Sequence, residues 1–83
     1  VFEYVKGMEG KLITAARALL GWSQDDLAKR AKVSRPTLAG IEREDGNPKR
    51  ATERAVVSAL EAEGIAFEES PDRVGVFLKR KSD

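Results

Sequence analysis

"VSRPTLAGIERE", Val33 to Glu44, is the stretch from which the rest of the chain is read. Ser34 is a residue type that caps a helix N-terminus through its side-chain oxygen. Pro36 follows two positions later, in a first turn whose N–H groups lack intrahelical partners and whose φ already suits the proline ring. Leu38 and Ile41 stand three apart, the start of an apolar stripe at helical period. The opposite side carries Pro36, Gly40 and Arg43, and Arg35 projects from the first turn. Gly40 costs about 0.5–1 kcal/mol against alanine in mid-helix, and helix stability gives no reason for it. At 100° per residue Glu42 falls only about 40° from Leu38, so its carboxylate leans inward.

Upstream lies "SQDDLAKRA", Ser23 to Ala31, a short helix. Ser23 is its N-cap, and Asp26 three residues later makes a near capping box. Asp25 and Asp26 both suit the positive end of the helix dipole. Leu27, Ala28 and Ala31 form its inner face, and "KV" leaves only a tight turn before Ser34. Further upstream, "KLITAARALLG" reads as a first helix, with Ile13, Ala16, Arg17 and Leu20 on one face. Gly21 ends it as a left-handed cap. Arg17 on that apolar face needs a partner. Two inward charges of opposite sign satisfy each other most cheaply, so Arg17 and Glu42 are expected to form a structural ion pair.

Downstream, "EDGNPKR" is a loop by its Asp-Gly and Asn-Pro signals. "ATERAVVSALEAEG" is a fourth helix with Val56, Ala59 and Leu60 as its stripe, Thr52 or Lys49 near its start, and Gly64 closing it. The period then changes to two. Ile65 and Phe67 alternate, then Val74, Val76 and Leu78, with "ESPDR" as the turn of a C-terminal β-hairpin. The organisation expected is a helical domain over 11–64, the hairpin over 65–80 and a frayed tail at 81–83. Residues 1–10 show a weak strand alternation. Met8 equally suits a native start, residues 1–7 then being a cloning remnant.

Composition narrows the chemistry. The 83 residues allow one small core, and the chain contains neither cysteine nor histidine. That removes disulfides, thiolate metal sites, the commonest general base and the commonest transition-metal ligand. No glycine-rich phosphate cradle is present, and the acids at Glu61, Glu63, Glu68 and Glu69 read as solvated surface. No catalytic residue, metal site or cofactor is assigned, and an enzyme is not expected. No apolar run approaches the roughly 18 residues of a membrane span, and no signal peptide opens the chain. Net charge is only +1, but it is unevenly spread. Lys29, Arg30, Lys32, Arg35, Arg43, Lys49, Arg50 and Arg54 crowd the middle, and an acidic segment follows from Glu61 to Asp72. Two unlike faces are implied.

Two short helices joined by a three- or four-residue turn, the second capped by Ser and flanked by Arg, form the helix-turn-helix pattern. "WSQDDLAKRAKVSRPTLAGIER" resembles the λ-repressor-like domains of the XRE, or Cro/C1, type. Ser23, Gln24, Leu27, Ala28, Val33, Ser34, Leu38, Ile41 and Glu42 fall on that family's pattern, and the resemblance runs from Ile13 to Leu60. It implies a mainly α fold: a λ-repressor-like helix-turn-helix bundle of four to five helices, here followed by the hairpin. It implies a small bacterial transcription regulator that works in the cytoplasm on double-stranded DNA. A homodimer on a two-fold operator is expected, with the third helix in the major groove. Val74 to Arg80 offers one candidate dimer surface, with Phe77 or Leu78 as anchor, unless Phe67, Val76 and Leu78 merely cap a monomer core. The same fold also serves as a protein-interaction module, such as the antitoxin of a toxin–antitoxin pair.

The resemblance also assigns roles. Gln24 would bond a backbone phosphate and brace the reading helix, and Arg17 and Glu42 match a family salt bridge. Base contacts fall near Arg35, Pro36 and Gly40. Arg35 is the best base reader, since an arginine donates bidentately to guanine, worth about 1–3 kcal/mol of discrimination. Thr37 suits a thymine methyl or a phosphate, and Arg43 a base or a phosphate. Lys49 and Arg50 sit where the family's loop follows the backbone, with Arg50 in reach of the minor groove. Ser34 combines capping with a phosphate contact, and Lys29 and Arg30 read as solvated. Lys32 departs from the pattern, standing where the family usually has glycine, and a positive φ is expected there.

Overall fold

The structure, a computed structural model, describes residues 10–80. The strand or remnant expected before Gly10 and the tail at 81–83 lie outside the described residues. Four helices precede a hairpin: α1 (Gly10–Leu20), α2 (Gln24–Ala31), α3 (Arg35–Arg43), α4 (Arg50–Ala62), β1 (Ile65–Ser70) and β2 (Arg73–Leu78).

Local chemistry sets the boundaries. Ser23 accepts from the Asp26 N–H and Asp26 accepts from the Ser23 N–H, so the near capping box is a complete one. Gly21 ends α1 at φ 72°. Lys32 closes α2 at φ 60° and ψ 43°, the left-handed conformation expected at that position. Its N–H reaches back to the Ala28 and Lys29 carbonyls, which satisfies groups a helix end otherwise leaves open. Lys49 sits at the N-cap of α4 without a side-chain capping bond.

The core is one cluster. Ile13 of α1, Leu27 of α2, Leu38 of α3 and Val56, Val57 and Leu60 of α4 are its largest fully buried side chains. Ile65 and Phe67 of β1 extend it under the hairpin. α4 departs from its expected stripe: Val57 is buried, while Ala59 is only partly so. The reason is that α4 packs on both α2 and β1, which needs a wider apolar arc than three residues supply.

β1 and β2 pair antiparallel, Ile65 opposite Leu78, Phe67 opposite Val76 and Glu69 opposite Val74. Pairing continues to Ser70–Arg73, leaving only Pro71 and Asp72 as the connection. The turn is thus shorter than the five residues read from the sequence. The Ser70 hydroxyl closes it by bonding the Asp72 carboxylate at 2.7 Å. Val76 packs on the core. Phe77 points to the other side and stays 54% exposed, its ring 3.3 Å from where a Cβ on Gly75 would stand.

Candidate nucleic-acid interface

α3 is held from behind. Arg17 Nε donates to Glu42 Oε2 at 2.7 Å and Arg17 Nη2 to Glu42 Oε1 at 2.9 Å, a bidentate fork. Gln24 Nε2 and the Thr14 hydroxyl also donate to Oε1, at 3.1 and 3.0 Å. Arg17 Nη1 reaches the Trp22 carbonyl at 3.0 Å. The Glu42 side chain is only 6% exposed. Burial pushes its carboxyl up, but the bonds from Arg17, Gln24 and Thr14, with the Arg17 charge, outweigh this and hold it below its ordinary value. The Glu42 bonds hold Arg17 in turn above its own, against a smaller opposing effect of burial. One carboxylate thereby ties α1, the start of α2 and α3 together.

A second tie lies two residues further along. Glu44 caps α3 at φ 60°, and its carboxylate accepts the Gly10 N–H at 3.0 Å. A carboxylate at the first N–H of α1 also suits that helix's dipole. Gly10 is buried, and a Cβ on it would overlap the Ile41 and Glu42 carbonyls. α1 and α3 therefore touch backbone to backbone, and only glycine permits it. Neither Glu44 nor Gly10 was singled out by sequence. Their contact spans 34 residues, and no local pattern marks it.

The outer side of α3 is open. Ser34 accepts the Thr37 N–H at 3.2 Å and gives its own proton to the Thr37 hydroxyl at 2.7 Å, so capping occupies it. Arg35, Pro36, Thr37 and Arg43 are exposed, and Gly40 is half-buried. Pro36, Gly40 and Arg43 stand at i, i+4 and i+7, one helical face. Each arginine meets a carboxylate through Nε: Arg35 with Asp25 Oδ1 at 3.5 Å, Arg43 with Asp45 Oδ2 at 2.9 Å. Gln24 is partly withdrawn, its amide nitrogen turned onto Glu42. Lys49 and Arg50 are exposed at the uncapped start of α4. Arg30 is more than solvated surface. It stacks 4.6 Å over the Trp22 ring and bonds Glu63 at 3.1 Å.

The face can place the cations of Arg35, Arg43, Lys49 and Arg50 against an anionic polymer. Among the described residues there is no His, Cys, Asp and Glu cluster suited to a metal, and no helix is long and apolar enough to cross a membrane. No curated protein matches the chain. A family model described as helix-turn-helix, HTH_3, matches residues 13–62, covering α2, the turn and α3 with most of α1 and all of α4. With two helices joined at Lys32 and the second presenting its outer side, this chain belongs to the XRE-type helix-turn-helix family of DNA-binding regulators.

Proposed function

We propose that the chain is a sequence-specific regulator that binds a two-fold operator as a homodimer, with α3 in the major groove. The observation that carries this is the division of α3. Leu38 and Ile41 are buried on one side, and Arg35, Pro36, Thr37 and Arg43 are exposed around the other. Arg35 reads a base, and Arg43 contacts a base or a phosphate. Thr37 lies against a thymine methyl or a phosphate, and Pro36 and Gly40 line the groove floor. Ser34, Gln24, Lys49 and Arg50 lie along the phosphates. The smooth middle makes recognition depend on DNA shape as well as on base edges.

One such domain spans few base pairs, so two domains with centres about 34–36 Å apart are needed for a specific site. The homodimer reading draws on exposed apolar side chains: Leu19 and Leu78 beside a groove of about 740 Å³ that Leu20, Glu63, Lys79 and Arg80 also line, and Phe77 on the outer hairpin face. That surface equally suits a foreign chain, the interaction-module or antitoxin alternative, which co-purification with a basic partner would favour.

Selection of bound duplexes from a randomised pool tests the main reading. A palindromic motif with half-sites one helical turn apart is expected. A pool that gains no motif rejects sequence-specific binding. A motif without symmetry, or a sedimentation mass that stays monomeric on the selected duplex, rejects the dimer.

A further inference from the structure

We infer that Asp25 is a positioning residue for base readout, orienting Arg35 from the neighbouring helix; this rests on the reading of α3 as the recognition helix. Asp25 stands in the first turn of α2, and its carboxylate faces Arg35 Nε at 3.5 Å across the turn. Nε is on the shaft side of a guanidinium. A carboxylate that meets the fork through one oxygen at Nε leaves the terminal nitrogens available to donate to guanine O6 and N7. Arg43 repeats the arrangement, with Nε on Asp45 at 2.9 Å. The two arginines flanking the smooth middle of α3 are thus held by the same edge.

Inside the fold Asp25 only favours the positive end of the α2 dipole, which any acid in that turn would do. Ser23 and Asp26 complete the capping box of α2 without it. Its side chain is 70% exposed, on the side of the molecule that would meet phosphates. There a negative charge opposes general attraction to DNA. Retaining one at that place is understandable if it restrains Arg35. An unrestrained arginine follows any phosphate, and ordering it on a base costs rotamer freedom. With Asp25 in place, the phosphate-seeking alternatives are disfavoured and the fork is already directed outward. Discrimination then comes partly from penalising the wrong contacts.

The test compares binding to the duplex selected by the wild-type protein with binding to a scrambled duplex, at one fixed salt concentration, for Asp25→Ala, Asp25→Asn, Arg35→Ala and the Asp25→Ala/Arg35→Ala pair. Asp25→Ala is expected to tighten binding to the scrambled duplex. It is also expected to lower the selected-to-scrambled ratio by about two- to fivefold, the span an exposed ion pair supports. Asp25→Asn, which keeps an acceptor oxygen, retains part of the ratio. In the Arg35→Ala background, Asp25→Ala should change the ratio no further, and unchanged thermal midpoints exclude a folding effect. If Arg35→Ala lowers the ratio while Asp25→Ala leaves it at the wild-type value, the inference fails and the reading of α3 survives. An equal loss with and without Arg35 also overturns it. An unchanged ratio in Arg35→Ala removes Arg35 as a reader, and the inference with it.

Discussion

Arg17 and Glu42 meet through two parallel bonds of 2.7 and 2.9 Å, and the same carboxylate accepts from Gln24 and Thr14. Removing it strands four donors at once, two of them on a largely buried guanidinium. Glu42→Ala is expected to cost about 3 kcal/mol or more, because an uncompensated charge is left behind. Arg17→Met combined with Glu42→Gln should cost less than the sum of the two single changes. Urea denaturation of the four proteins measures that coupling, and strict additivity would contradict the network.

The same carboxylate predicts an acid limit. Its folded pKa lies below its ordinary value, so its contribution is fully present above the unfolded value of about 4.3. It is lost as pH falls through the lower folded value. Asp26 is lowered too, chiefly by its bonds from Ser23, and acts in the same direction. The denaturation midpoint should be flat from neutrality to about pH 5 and fall below about pH 4. In Glu42→Gln the fall should be shallower. An identical acid profile in that variant would refute the assignment.

Among the described residues, two that are not glycine hold left-handed backbone, Lys32 and Glu44, both at φ 60°. They should respond oppositely to glycine. Lys32 is exposed and its side chain has no partner among the described residues. Lys32→Gly should therefore stabilise the fold by roughly 0.5–1 kcal/mol, after the added freedom of the unfolded chain. Glu44→Gly relieves the same strain but forfeits the bond to the Gly10 N–H, so no net gain is expected. Thermal midpoints of both variants decide this.

Two helical glycines should also part company. Gly10→Ala drives a methyl into the α3 backbone and is expected to cost roughly 1–3 kcal/mol. Gly40 has ample room, the nearest atom to an added Cβ being the Asp45 carbonyl oxygen at 4.0 Å. Gly40→Ala should stabilise the free protein by about 0.5–1 kcal/mol while weakening its hold on the selected duplex. Tighter binding by Gly40→Ala would mean that α3 does not lie close to the groove floor.

Lys49 and Arg50 predict a salt effect of a different kind. Replacing either by alanine should weaken binding to every duplex alike. It should also flatten the log-affinity against log-salt line by about 0.9 per lost phosphate contact. A sequence-selective loss would make that residue a base reader.

Most of the helical frame was legible because its signals are short-range. The box of Ser23 and Asp26 spans three residues. The left-handed turn at Lys32 followed from the family resemblance, which usually places glycine there. The inward lean of Glu42 followed from helix geometry alone. Contacts distant in sequence were not legible. Gly10 looked like part of an extension, yet α1 begins there because Glu44 supplies its first acceptor. Arg30 looked solvated until Trp22 came beneath it. Burial of Val57 depended on which elements α4 would touch. The outer side of α3 was the most readable part of the candidate site, because residues facing away from a core answer to helical period and little else. The carboxylates beside its arginines went unread, since Asp25 had a sufficient local explanation in the helix dipole.

Glu42 and Glu44 anchor α3 by its C-terminal end, whereas its N-terminal end meets α2 through the short turn, where the Val33 N–H bonds the Ala28 carbonyl, and through the exposed Arg35–Asp25 pair. Residues 35, 36 and 37 are exposed at the end of α3 away from those two carboxylates, so substitutions there leave the clamp untouched. Under the function proposed above, the residues that hold the fold and those that choose the target are largely separate, so a change of operator need not pass through an unfolded sequence.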